Sequence, residues 1–299
     1  MATLHSASSF HNVIIRWYAR HGRTFAWRRT RDPYRILLSE IMSQQTQVSR
    51  VAEYYKHWLR KFPTFSALAK AQSADVLREW SGLGYNSRAL RFHQLAVIVS
   101  GEYRSRLPND PESLQSLPGI GRYTAHAVAC FAFEKNVPVV DVNIRRILTR
   151  WTTKVRSASE QVTDDQAWRI AEQFLPKKNV FTWNQALMDL GGMVCTARNP
   201  KCGDCPVSAI CASAFSKAFL LKEKRKEKKE PMWRGIPRRL YRGRILKMLH
   251  HHAFSAEEIA AQLWEDCNRQ DILWTAQLME KMLSDGLLSH RRGKFSIAS

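Results

Sequence analysis

Four of the six cysteines, Cys195, Cys202, Cys205 and Cys211, fall within 17 residues as C-x6-C-x2-C-x5-C, and no other feature constrains the fold as much. Four thiolates this close in sequence can wrap one metal centre. A pair of disulfides is one alternative. However, the start MATLHSASSFHNVIIRWYAR lacks a cationic leader, a long apolar stretch and a small-residue cleavage site. Thiols stay reduced in the cytoplasmic chain this predicts. Zinc is the second alternative, since tetrahedral thiolate sites suit it and the two-residue gap occurs there. The six- and five-residue gaps are less usual for zinc, whereas cubane iron–sulfur clusters accept irregular spacing. Spacing alone therefore predicts a metal and leaves iron–sulfur and zinc both open. Cys130 stands apart in the apolar run AVACFAF and reads as a buried small hydrophobe.

Charge indicates what such a chain meets. Its 299 residues carry 47 Lys and Arg against 26 Asp and Glu, a formal net charge of +21. Residues 217–247 alone hold 13 basic and 3 acidic side chains, whereas 248–299 hold 5 and 7. A basic body with a basic strap suits a polyanion, because each phosphate it neutralises releases counterions. Solubility or attraction to an anionic membrane is the plainer alternative. With 44% hydrophobic residues, a sizeable core is possible, which excludes global disorder and collagen-like structure. No run of 18 apolar residues is present to span a membrane.

Up to residue 216, apolar residues recur at three and four, as in FHNVIIRWYARH, YRILLSEIMSQQTQVSRVAEYYKHWLRKF and SRALRFHQLAVIVSGEY. The pattern predicts an all-α domain. Asp110 before Pro111 and Ser73 before Ala74-Asp75 read as helix caps. Residues 217–240 are charge-dense and carry two prolines, which predicts a linker, with a solvated helical extension as its rival. Order resumes at 241–299, with helices over Arg242–His250, from the capping box Ser255–Glu258 through Trp264, and over Ile272–Leu283. A hairpin over Leu287–His290 and Phe295–Ile297 follows, with the basic turn Arg291–Lys294 between its arms. Three helices and a hairpin resemble a winged helix, a module that binds DNA or mediates protein contacts.

Two further elements could carry chemistry. Leu117-Pro-Gly-Ile-Gly121 joins two helices through a Gly-rich turn whose amides lie near a helix N-terminus, where a phosphate can bind without a side chain. An ordinary bend is the alternative. Asp141 lies between the apolar VPVV and an amphipathic helix, about 20 residues after that turn, one helix length away. Taken alone it reads as a helix N-cap.

The glycine turn, the acid on the next helix and the cysteine loop together resemble the helix–hairpin–helix DNA glycosylases of the endonuclease III superfamily. Within that superfamily, the chain is similar to the MutY-type adenine DNA glycosylases. The similarity rests on Ala26-Trp-Arg28, Arg31-Asp-Pro-Tyr34, Leu38 to Val48 (LSEIMSQQTQV), Gly82-Leu-Gly-Tyr85 and Phe181 to Leu190 (FTWNQALMDL). It spans about residues 10–215. The implied fold is a six-helix domain over about 22–129 and a cluster domain formed by about 1–21 with 130–216.

The resemblance also implies roles for individual residues. Glu40 matches the acid that protonates the departing adenine, although helical numbering alone would place it on a solvated face. Asp141 matches the carboxylate that stabilises the sugar cation, with Asn143 beside it. Tyr123 occupies the position where a lysine would attack C1′ and permit strand cleavage through an imine; tyrosine cannot form that imine. Gln45, Leu83 and Tyr85 match residues that enter the base stack around an extruded nucleotide. Trp27 and Arg28 match the pocket loop, Gly119 and Gly121 the hairpin, and Arg198 and Lys201 the DNA-facing cluster loop. Arg145 and Arg146 are further phosphate candidates, against a solvated helix face. The four cysteines match the ligands of a [4Fe–4S] cluster. The implied partner is double-stranded DNA with a mismatch or lesion, bound by a monomer.

The chain also departs from the family pattern. Residues 217–299 do not resemble the Nudix-like domain that usually recognises 8-oxoguanine. Val142 stands where glycine is usual between Asp141 and Asn143, and Asn86 where a second tyrosine is usual after Tyr85. Thymine or uracil mismatch glycosylases of the superfamily share the cluster, the tyrosine and a short chain, and form the second enzymatic reading. A non-catalytic DNA-binding protein on the same fold is the third.

Overall fold

The periodic stretches fold as helices throughout the first part of the chain. The computed structural model describes residues 5–220, 230–250 and 252–298. In chain order its helices are α1 (His5–His21), α2 (Pro33–Ser43), α3 (Val48–Lys61), α4 (Phe65–Ala69), α5 (Ser73–Trp80) and α6 (Ser87–Glu102). They continue with α7 (Pro111–Gln115), α8 (Arg122–Phe133), α9 (Val142–Thr152), α10 (Asp164–Gln173) and α11 (Val180–Met193). No described helix is long and apolar enough to cross a membrane. By mutual contact the chain divides into two units. One comprises 1–37, 109–116 and 120–226; the other comprises 38–108, 117–119 and 227–299.

The first unit is built on α9 and α11. α9 buries Ile144, Ile147, Leu148 and Trp151, at the three-and-four spacing of one helix face. They join Phe10 and Ile14 of α1, Trp168 of α10 and Trp183, Leu187 and Leu190 of α11 in one apolar cluster. The Phe10 ring meets the edge of Trp151 at 4.5 Å and 80°, a pairing that adds about 0.5–1.5 kcal/mol to area burial. α7 opens as its sequence predicts: Pro111 takes the first turn, and the Asp110 side chain accepts from the Ser113 amide. Within this unit α8 packs against α7 and reaches α11.

In the second unit α3 buries Val51, Tyr55 and Trp58. Trp58 meets Trp80 edge-on at 5.4 Å and stacks near Phe92 at 6.0 Å. α4 and α5 both pack against α6. The expected Ser73 cap is not formed. Ser73 is the first residue of α5, and Gln72 precedes it without a side-chain cap bond.

The same unit holds the C-terminal elements: β1 (Met232–Trp233), β2 (Ile236–Pro237), α12 (Arg238–Met248), α13 (Ala256–Leu263), α14 (Arg269–Ser284), β3 (Leu288–Arg291) and β4 (Lys294–Ile297). Part of the expected linker, 221–229, lies outside the described residues. The rest of it is not a linker after residue 230. Trp233 stacks on Trp274 at 5.3 Å and donates to Asp271. Arg234 pairs with both Asp271 and Asp266, so a segment that looked merely basic is fastened by two acids 32–37 residues away. The Ser255–Glu258 capping box forms as expected, and a second one forms at Asn268 and Asp271. β3 pairs antiparallel with β4, and Phe254 bridges to Phe295 of β4. The element order is therefore helix, bridge, helix, helix, hairpin.

Candidate functional site

Asp141 is the N-cap of α9, as its sequence context predicts, and the cap occupies both carboxylate oxygens. Oδ1 accepts from the amides of Asn143 (2.9 Å) and Ile144 (2.7 Å), and Oδ2 accepts from Asn143 Nδ2 at 2.8 Å. Asp141 as a whole is half-buried. Asn143 in turn accepts from Arg146 Nη2 at 2.9 Å. Arg146 also donates to the carbonyls of Gly191 and Cys195, at 2.8 and 2.9 Å. Arg145 and Arg146 are both engaged by the fold. Arg146 is buried and held by those carbonyls, and Arg145 donates to the Val162 carbonyl at 2.7 Å. Gly191 allows this packing, because a Cβ there would lie 2.8 Å from Asn143 Cβ.

α2 is buried continuously from Ile36 to Met42, and Glu40 with it, at 9% exposure. Helical numbering fails here because α2 is enclosed on all sides instead of floating on one face. Beyond the end of α2, Gln45 is exposed with a left-handed backbone at φ 55°. The turn after α5 presents Tyr85 in the same way, at φ 49° and 60% exposed. Left-handed backbone is uncommon for such residues and persists only where the surroundings enforce it. Leu83 differs from these two. It is 6% exposed and packs inward beneath the turn.

Gly119 bends the hairpin at φ 81°, with room for a Cβ only against Arg91 Cβ at 3.2 Å; Gly121 is the N-cap residue of α8. Tyr123, in the first turn of α8, is half-buried. Trp27 lies in the short 3-10 turn Ala26–Arg29 and stacks on Phe25 at 4.9 Å. Arg28 of that turn is tied to α11. Its Nη1 and Nη2 bond Asp189 of α11 at 2.7 and 2.9 Å, and Nη1 also bonds the Arg23 carbonyl. Asp189 accepts from Arg23 as well, through its amide and its Nε, both at 2.8 Å. The sequence reading missed Asp189 as a structural residue. Its signal was one acid inside the apolar run ALMDL.

The cysteines converge. Cys195 follows α11, Cys202 and Cys205 bound one 3-10 turn, Cys202–Asp204, and Cys211 closes a second, Ser208–Ile210. All four line one pocket with Arg150, Trp151, Val194 and Phe219. None is in a disulfide. Among the described residues no three His, Cys, Asp or Glu side chains are grouped to hold a single metal ion. Arg150 donates to Cys195 Sγ at 3.4 Å and to the carbonyls of Thr196 and Ala197. Burial pushes the Cys205 thiol up to about 11 and raises Cys211 as well, and ligation as thiolates would need the compensating charge of a metal centre. Arg198 and Lys201 stand exposed between the first two ligands. Changing any one of the four cysteines to serine is expected to remove the visible charge-transfer absorption and the bound iron together. Metal analysis of purified protein checks this, and stoichiometric zinc with no iron in the parent protein would refute the cluster. Cys130 is buried as expected and accepts from Asn184 Nδ2; burial pushes its thiol up to about 11.

Comparison with known proteins covers both parts of this arrangement. Residues 38–173 match the model of the HhH-GPD superfamily of base excision DNA repair proteins. Residues 195–211 match the iron–sulfur binding domain of endonuclease III. The adenine DNA glycosylase of Mycolicibacterium smegmatis is 37% identical over 295 residues, covering 95% of this chain and 94% of its own length. Among solved structures, a thermostable thymine-DNA glycosylase superposes with a TM-score of 0.66 at 31% identity, over 71% of this chain and 98% of its own. A non-covalent endonuclease III–DNA complex superposes with a TM-score of 0.61 at 20% identity, over 72% of this chain and 97% of its own.

Proposed function

The chain belongs to the adenine DNA glycosylases of the HhH-GPD superfamily, and we propose that it removes adenine mispaired with guanine or 8-oxoguanine from duplex DNA at the nucleoid. It is a DNA N-glycosylase with a [4Fe–4S] cluster held by Cys195, Cys202, Cys205 and Cys211. One observation carries the choice of adenine. Similarity to the adenine enzyme runs through 95% of the chain at 37% identity.

The reaction breaks the C1′–N9 bond and adds water, leaving free adenine and an abasic site. In our reading Glu40 gives the proton that lets adenine leave as a neutral base. Asp141 sets its negative charge against the sugar as C1′ becomes cationic, and Asn143 holds that carboxylate in place. Gln45 and Tyr85 enter the stack around the vacated position. Arg198 and Lys201 meet phosphates. The cluster, when bound, supplies the fold of that loop. Tyr123 offers no amine, so the abasic product stays unnicked.

Parallel duplexes with A:8-oxoguanine, A:G, T:G and U:G test the proposal. Adenine release from the first two, with intact abasic strands, is the expected result. Release of thymine or uracil without adenine would transfer the assignment to the mismatch enzymes.

A further inference from the structure

The two exposed residues assigned to the base stack, Gln45 and Tyr85, lie 40 positions apart on separate turns, and one buried side chain joins those turns. Arg88, in the first turn of α6, is 9% exposed. Its Nη1 donates to the carbonyls of Ile41 (2.8 Å), Met42 (3.4 Å) and Gln44. Its Nη2 donates to Thr46 Oγ1 and to the Gly84 carbonyl, both at 3.3 Å. The guanidinium also lies 5.5 Å from the Trp80 ring centroid and 5.3 Å from that of Tyr85.

Two consequences follow from these contacts. Ile41 and Met42 belong to the last turn of α2, whose carbonyls have no partner within the helix. Arg88 satisfies them, and a cation suits that end of the helix dipole. The end of the helix that carries Glu40 is therefore pinned from outside. Gln44 and Thr46 flank Gln45, while Gly84 precedes Tyr85. The same planar fork thus fixes both left-handed residues and the spacing between them. The Gly84 carbonyl also accepts from Trp80 Nε1 at 3.0 Å. A Cβ at Gly82 would run into the Tyr54 hydroxyl, so that turn is confined from a second side.

We propose that Arg88 is a positioning residue for base extrusion: it holds Gln45 and Tyr85 as a pre-set pair before DNA arrives, so the duplex distorts around a rigid wedge. The proposal rests on the reading of Gln45 and Tyr85 as stack-entering residues. Pre-organisation of this kind removes the ordering cost that two mobile turns would incur on binding. Lysine cannot replace the fork, because one ammonium cannot reach five acceptors with planar geometry.

The test uses the full chain and a duplex with 2-aminopurine opposite 8-oxoguanine, followed by stopped-flow fluorescence. Thermal melting and affinity for an undamaged duplex are measured alongside. Arg88→Met and Arg88→Lys are expected to slow extrusion about 10- to 100-fold, the scale of an ångström-level misplacement. Arg88→Lys should do so with melting and plain-duplex affinity near those of the parent. In a Gln45→Ala/Tyr85→Ala background, Arg88→Lys should change extrusion less than about twofold, because its effect passes through that pair. Normal extrusion in Arg88→Lys overturns the proposal. So does an equal slowing in the double-alanine background, or a loss that tracks melting and plain-duplex affinity. If the double-alanine protein itself extrudes normally, the stack-entry reading has failed instead.

Discussion

Replacing Asp141 with asparagine is expected to lower single-turnover adenine release by about 10²–10³-fold, while the protein melts close to the parent temperature. Loss of one pre-organised electrostatic partner of a charged transition state has that scale. The separation of effects follows from the cap. Asparagine is as good an N-cap as aspartate, so its Oδ1 can still accept from the amides of Asn143 and Ile144. The charge is lost, and so is the Oδ2 acceptor for Asn143 Nδ2, since two amide NH2 groups would then face each other. Asp141→Ala removes the cap as well and should cost a further 0.5–2 kcal/mol or so of stability. Glu40→Gln is expected to reduce release by about 10²–10⁴-fold, the range of general acid catalysis. Duplex binding by gel shift should survive in both single variants. Adenine release at the parent rate in either one would remove that residue from the chemistry.

Asp189→Asn is the change expected to harm the fold most. The Asp189 side chain is 0% exposed and that of Arg28 is 9% exposed, so removing the acid leaves a nearly buried guanidinium without its counter-charge. Breaking a buried pair in this way costs about 3–5 kcal/mol, or roughly 10 °C in melting temperature for a unit of this size. The pH dependence has a definite sign. Burial by itself raises the Asp189 carboxyl, but the Arg28 and Arg23 contacts outweigh it and hold it below the usual carboxylate value. A group depressed in the folded state stabilises fully above its unfolded value, about 3.9. The contribution disappears as pH falls through the lower folded value. Between about pH 5 and pH 2, the parent should therefore lose stability more steeply than Asp189→Asn. Parallel acid limbs in urea titrations of the two proteins would contradict this.

How much could be read from the chain depended on the reach of each contact. The cysteine loop, the glycine turn, the Asp141 cap and the Ser255 capping box are written within a few residues of themselves, and all formed. The contacts of Arg28, Asp189 and Arg88 were not legible because their partners lie 161 and up to 47 positions away. A lone charge in an apolar helix signals that such a partner exists without naming it. The burial of Glu40 was hidden for a related reason. Its neighbours Ser39 and Ser43 soften the apolar pattern of α2, and only packing shows the helix to be enclosed. The basic stretch before α12 concealed Trp233 and Arg234, whose acids come from α14 and the segment before it.

The contact between α1 and α11 has a consequence for biosynthesis. The first helix leaves the ribosome with Phe10 and Ile14 uncovered, and the residues that cover them, near Trp183 and Leu187, arrive some 170 positions later. At 5–20 residues per second the wait is roughly 10–30 s. During translation the N-terminal segment is therefore a sticky, unfinished surface. It closes only as the ligand loop itself emerges, so sealing of the early chain and readiness for iron loading coincide near the end of this unit's synthesis.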